Sequence, residues 1–171
     1  VDRSRGLGDV YKRQVKELTL KYQEAKESFI KAAVLRPDNS EYLHSAGNIA
    51  LMLAEYDKAI NYYQQSLAIK FSTNVEGPPS IAEVRSNLGS AWNHKGNYDK
   101  AIEFYELSLA GFLNIYEDEH HAVARIRNNL GATWRDKGNY DKAIDYLEQS
   151  LESNLKAYGE GHFQVAKVRN N

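Results

Sequence analysis

The sequence contains no cysteine. Disulfides, thiolate metal sites and a cysteine nucleophile are therefore excluded, and a cytoplasmic location is the expectation. Proline is scarce, at three residues in 171, and no run of about 18 apolar residues occurs. Pro-rich linkers and a membrane-spanning helix are excluded with them. No sign of charge dominates either: 22 Lys and Arg stand against 23 Asp and Glu, a formal net charge of −1. Such balance speaks against a general binder of nucleic acid or anionic membrane. What is present is ordinary globular usage, 42% apolar and 26% charged.

Within that composition lies a repeat. The stretch VRSNLGSAWNHKGNYDKAIEFYELSL from Val84 aligns with IRNNLGATWRDKGNYDKAIDYLEQSL from Ile126, pairing Leu88 with Leu130, Gly89 with Gly131, Trp92 with Trp134 and Ala101 with Ala143. Every pair is 42 residues apart. Another 42 residues back, YLHSAGNIALMLAEYDKAINYYQQSL puts Gly47 under Gly89 and Ala59 under Ala101, and forward, VRNN at 168–171 opens a further copy. Upstream the step shortens to 34, setting Tyr22, Ala25 and Phe29 against Tyr56, Ala59 and Tyr63. The division read from this is a half repeat at 15–39, repeats at 40–81, 82–123 and 124–165, and a fragment at 166–171.

Each unit reads as two helices. Val84, Leu88, Ala91 and Trp92, then Tyr98, Ala101, Ile102, Tyr105 and Leu109, recur at three-and-four spacing. Gly96 suits the left-handed residue that ends a helix, and Asn97 and Asp99 suit the start of the next. Neither helix can bury its stripe alone, so the units must stack. The eight residues beyond 34 are expected to lengthen the second helix past Leu109 and Leu151, leaving loops at 116–121 and 158–162 and a seam at 72–80.

Leu88-Gly89, Trp92, Ala101, Tyr105 and Ser108 together resemble the tetratricopeptide repeat. The 42-residue period and YGEGHFQVAKVRNN at 158–171 further resemble the longer repeats of kinesin light chains and their bacterial relatives. His121 and Phe163 stand where that pattern carries a proline, which Pro79 keeps. The resemblance implies an all-α fold: a right-handed superhelix, or α-solenoid, of antiparallel helix pairs whose first helices line the concave face.

On that face helical spacing places Glu41, Ser45 and Asn48; Glu83, Asn87, Ser90, Asn93 and His94; Arg125, Asn129, Arg135 and Asp136; and Lys167 and Asn171. The candidate peptide-binding residues are Asn48, Asn87, Ser90, Asn93, His94, Arg125, Asn129, Arg135, Asp136 and Asn171. A carboxamide both donates and accepts, so asparagines recurring at 87, 129 and 171 suit the backbone of an extended peptide. The other reading is that they cap or cross-link neighbouring helices. Arg85, Arg127 and Arg169 form a second ladder, read as pairing with carboxylates of adjoining units in preference to anchoring acidic peptide groups. Trp92 and Trp134 read as packing.

Nothing in the sequence points to catalysis. A Gly-rich phosphate loop and a nucleophile elbow are lacking, and adjacent His120 and His121 point about 100° apart on a helix, a poor basis for a metal site. His120 and His162 read as turn residues. No cofactor or metal is expected. The function so indicated is a non-enzymatic protein–protein interaction scaffold binding an extended peptide or partner helix, with no nucleic acid and no membrane among its partners. The alternative is the regulatory arm of a larger signalling enzyme, an ATPase, protease or kinase. Nothing in the sequence bears on oligomeric state.

Residues 4–14, SRGLGDVYKRQ, lie outside the repeat pattern. One permitted codon choice for them resembles a transposase-type sequencing-library adapter read in frame. Residues 1–14 are therefore expected to be non-native, the true N-terminus to be missing, and 15–171 to be one repeat array. Without 1–14 the balance is 18 basic against 21 acidic residues, −3 from the counts over 15–171.

Overall fold

The computed structural model describes residues 23–24, 26–73, 77–159 and 163–171, with side chains at 163 and 164 not described. The 1–14 segment, the remainder of the half repeat before 23, and His162 lie outside them. Among the described residues there is helix and turn but no strand. The helices are α1 (26–35), α2 (Ser40–Met52), α3 (Tyr56–Thr73), α4 (Pro78–His94), α5 (Tyr98–Leu113), α6 (His121–Asp136), α7 (Tyr140–Tyr158) and α8 (Phe163–Arg169). The second helices do run on past Leu109 and Leu151. The first helices of the later units start at Pro78, His121 and Phe163, three residues or so ahead of the divisions drawn at 82, 124 and 166.

Local chemistry sets these ends. Asn39, Asn97 and Asn139 cap α2, α5 and α7, each side-chain oxygen accepting from backbone N–H groups of the first turn. Pro78 opens α4, where a missing N–H costs nothing. The turn before α5 carries Gly96 at φ 80°, and the turn before α7 carries Gly138 at φ 89°. At the equivalent place before α3 stands Ala54, at φ 58°.

From α2 to α8 each helix packs chiefly on its neighbours in the chain, which is the pattern of a solenoid. In addition α2 touches α4 and α4 touches α6, with no comparable contact between α3 and α5 or α5 and α7. The stack therefore bends toward α2, α4 and α6, and these line its inner side. Two buried clusters share Trp92 at their edge: one joins Ile60, Tyr63, Val84 and Leu88, the other Ile102, Tyr105, Ile126 and Leu130. Pairing within a unit is fixed by a serine on the second helix. Ser66, Ser108 and Ser150, all buried, donate to the carbonyls of Ser40, Ala82 and Ala124 at 2.7–2.8 Å. Each such buried bond contributes about 1 kcal/mol.

Units are tied to one another at the turns. Lys95 pairs with Asp57 and Lys137 with Asp99, each lysine reaching back to the first turn of the preceding second helix. Both tryptophans pack, as the sequence suggested, and each lies between two ammonium groups: Lys95 and Lys100 over Trp92, Lys137 and Lys142 over Trp134.

Candidate functional site

Close approach of the two helices in a unit delivers second-helix side chains to the inner face. At Gly47 an added Cβ would meet the Tyr63 ring at 2.5 Å, and at Gly89 the Tyr105 ring at 2.7 Å. Only glycine admits the rings at this depth. Tyr63 then donates its hydroxyl to Asn48 Oδ1 at 2.8 Å, and the Tyr105 hydroxyl lies near the Ser90 side chain, which pulls its pKa down against burial. Burial raises the phenol pKa in both, to about 12 for Tyr105. In the third unit the pair is Leu147 and Ala132, with Leu147 against Gly131.

The recurring asparagines do not behave alike. Asn87 Nδ2 donates to His44 Nε2 at 2.8 Å and to Asn48 Oδ1 at 3.1 Å, joining α4 to α2. With Nε2 accepting, the neutral His44 ring carries its proton on Nδ1. Burial holds the His44 pKa below its ordinary value, against the opposing pull of Glu83 and Glu41. Asn171 Nδ2 donates to Asn128 Oδ1 at 2.8 Å, joining the end of α8 to α6. In both bonds the partner lies 43 residues earlier, at His44 and at Asn128. Forty-three residues before Asn129 stands Ser86, buried and short. The Asn129 carboxamide accordingly forms no hydrogen bond within the described residues.

The other candidates fall as follows. Asn93 is half-buried and its Oδ1 is shielded from solvent with no donor in reach. His94 stacks on Tyr56, ring centroids 5.6 Å apart and planes 7° off parallel. Arg135 is bound by its neighbour Asp136 at 3.0 Å and donates to the Asn171 carbonyl at 3.1 Å. Arg125 is exposed on α6. Glu41 is committed elsewhere: buried Lys70 on α3 donates to it at 2.6 Å, and this bond holds its carboxyl below the usual range.

The arginine ladder also divides. Arg127 is 7% exposed and pairs with Asp118, a carboxylate of the adjoining repeat at 82–123, in the loop that leads into α6. It also donates to Ser153 Oγ at 3.1 Å. Arg85 meets no carboxylate among the described residues; its guanidinium lies over Phe71 and reaches the Leu107 carbonyl at 3.4 Å. Glu76, 42 residues before Asp118, lies outside the described residues.

His120 caps α6, its Nδ1 accepting from Ala122 N–H at 3.2 Å while its ring stacks on Tyr116 at 3.8 Å. No three His, Asp or Glu side chains converge as metal ligands among the described residues. Between α6, α7 and α8 lies a cavity of about 120 Å³, bordered by Arg125, Asn128, Asn154, Tyr158, Lys167 and His121. Of these, the sequence reading had placed only Arg125 and Lys167 on the inner face. Asn154 and Tyr158 come from a second helix, α7.

Comparison with known proteins gives the same architecture. The tetratricopeptide repeat model matches residues 80–156, and a second model of that description matches 43–74, together more than half of the chain. Among solved structures the chain is similar to BtubC (BKLC) from P. vanneervenii at 25% identity and TM-score 0.70, covering 89% of this chain and 61% of that one. The chain thus spans about three fifths of BtubC. It is similar to MamA at 26% identity and TM-score 0.63, covering 80% of this chain and 70% of MamA. It shares the fold of the TPR domain of Arabidopsis FLU at 19% identity and TM-score 0.61, covering 69% and 95%. No curated protein matches it. No helix among the described residues is long and apolar enough to cross a membrane.

Proposed function

The chain belongs to the tetratricopeptide repeat family, and we propose that it is a non-enzymatic interaction scaffold holding an extended peptide or partner helix against the inner face of α2, α4 and α6. One observation carries this reading. On α4 and α6, Asn93 Oδ1 and the Asn129 carboxamide are left without protein partners, whereas Asn87 and Asn171 are used up in joining units. Asn93 Oδ1, shielded from water, is shielded from a peptide N–H as well, so the half-buried Asn129 carboxamide carries the contact. Asn129 supplies both a donor and an acceptor, the pair that an extended backbone requires. Asn87, Asn48 and Ser90 shape the groove from behind, and Arg125 faces the open side.

The test is selection of peptides from a random display library on the purified chain, with affinities then measured by fluorescence anisotropy. Selected peptides should compete with one another and lose about tenfold in affinity on Asn129→Ala, a loss of about 1.4 kcal/mol, with an unchanged melting curve. Retention of full affinity by the Asn129→Ala and Asn93→Ala variants places the binding surface elsewhere and ends this reading.

A further inference from the structure

Beyond the groove itself, which this step takes as its premise, we infer that the peptide it receives is bipolar in charge: a basic side chain opposite α4 and acidic side chains opposite α6 and α8. One inner-face position, repeated every 42 residues, holds Glu41, Glu83, Arg125 and Lys167, so its sign reverses halfway along the array. Glu41 is spent on Lys70. The other three are exposed and form no salt bridge among the described residues, so their charges face the groove uncompensated.

The cationic end is also the concave end. The cavity of about 120 Å³ between α6, α7 and α8 has Arg125 and Lys167 on its border, His121 beside them, and the amides of Asn128 and Asn154 behind. Among the described residues no carboxylate borders it. At about 30 Å³ per water, this volume admits a carboxylate with a water or two. At the other end, Glu83 stands opposite the neutral, half-buried His44, with no cation paired to it. A polyanion threading the whole groove would meet Glu83 unscreened, which favours a peptide over a nucleic acid strand.

Spacing sets the register. First helices of successive units lie about 10 Å apart, the usual packing distance, and an extended chain rises about 3.3 Å per residue. One unit therefore corresponds to about three residues, giving a basic residue at i with acidic residues at i+3 and i+6.

Two isomeric peptides test this, Lys-Ser-Asn-Asp-Ser-Asn-Asp and Asp-Ser-Asn-Asp-Ser-Asn-Lys, in which the terminal Lys and Asp are exchanged, both blocked at the termini and titrated into the isotopically labelled chain at low salt. Amide chemical shifts report affinity into the millimolar range and the place of binding. One isomer should bind about tenfold more tightly than the other, with shifts at α4, α6 and α8, and the triple reversal Glu83→Lys, Arg125→Glu and Lys167→Glu should transfer the preference to the other isomer. Equal binding of the two isomers, unmoved by the reversal, overturns the charge polarity and leaves the groove standing. Absence of binding by these peptides and by library-selected ones overturns both. Tighter binding of a twelve-residue oligothymidylate than of either isomer overturns the peptide assignment in favour of nucleic acid.

Discussion

Replacing Asn87 and Asn129 separately by alanine divides the asparagine ladder into a structural and a binding part. Asn87 makes two bonds, 2.8 Å to His44 and 3.1 Å to Asn48, from a half-buried position. At about 0.5–1.5 kcal/mol for each net bond, and allowing for partial exposure, Asn87→Ala should cost about 1–2 kcal/mol. In a domain of this size that lowers the melting temperature by about 3–6 °C. Asn129 makes no side-chain bond, so Asn129→Ala belongs with surface substitutions, within about 0.5 kcal/mol of neutral. Thermal unfolding followed by circular dichroism at 222 nm measures both. Peptide affinity should order them the other way, with Asn129→Ala the more damaging. Equal loss of stability in the two variants would refute the reasoning, because Asn129 would then have a structural partner of its own.

Ala54→Gly should stabilise the chain by about 1 kcal/mol, since Ala54 holds φ 58° where the equivalent turns carry glycine; an unchanged urea midpoint would show that no strain resides there. Arg127→Ala removes a buried side chain but leaves Asp118 largely in solvent, so it should cost about 1–2 kcal/mol, against less than about 1 kcal/mol for half-buried Arg85→Ala, both read from urea unfolding. His44 is held neutral in the fold, its pKa below the ordinary value of about 6.5 that it regains on unfolding. The unfolded chain therefore binds more protons, and the contribution of His44 is full above about pH 6.5 and lost as pH falls toward its lowered folded value. Melting temperature should decline from pH 7 to 5.5 in the parent chain and decline less in His44→Gln, which keeps an acceptor for Asn87. Equal slopes would show that the His44–Asn87 bond survives protonation.

The fold was legible because a solenoid states its rules once per unit. Gly47 and Gly89 under tyrosine rings, Ser66, Ser108 and Ser150 reaching back to a first-turn carbonyl, and asparagine caps before α5 and α7 all recur with the 42-residue period. Periodicity fails where a contact depends on what stands opposite. Arg85, Arg127 and Arg169 are one position by period, yet Arg127 is buried on Asp118 while Arg85 lies over Phe71. The cavity behind Arg125 was equally hidden, since Asn154 sits where the earlier units have Lys70 and Phe112, residues that fill the space with a buried ion pair or a ring.

For the inner face the informative offset is therefore 43, not 42. The residue one place beyond a full period before an asparagine at 87, 129 or 171 is His44, Ser86 or Asn128. An imidazole or a carboxamide reaches across and consumes it; a serine that is itself buried does not. Exchanging Ser86 for asparagine should close the middle of the ladder by the same bond that Asn171 makes to Asn128, at the same 2.8 Å. Ser86→Asn should then raise stability, or leave it unchanged where burial of the larger side chain offsets the new bond, and in either case weaken peptide binding without touching any groove residue. Undiminished binding in a folded Ser86→Asn variant would show that the freedom of Asn129 is not what the groove uses.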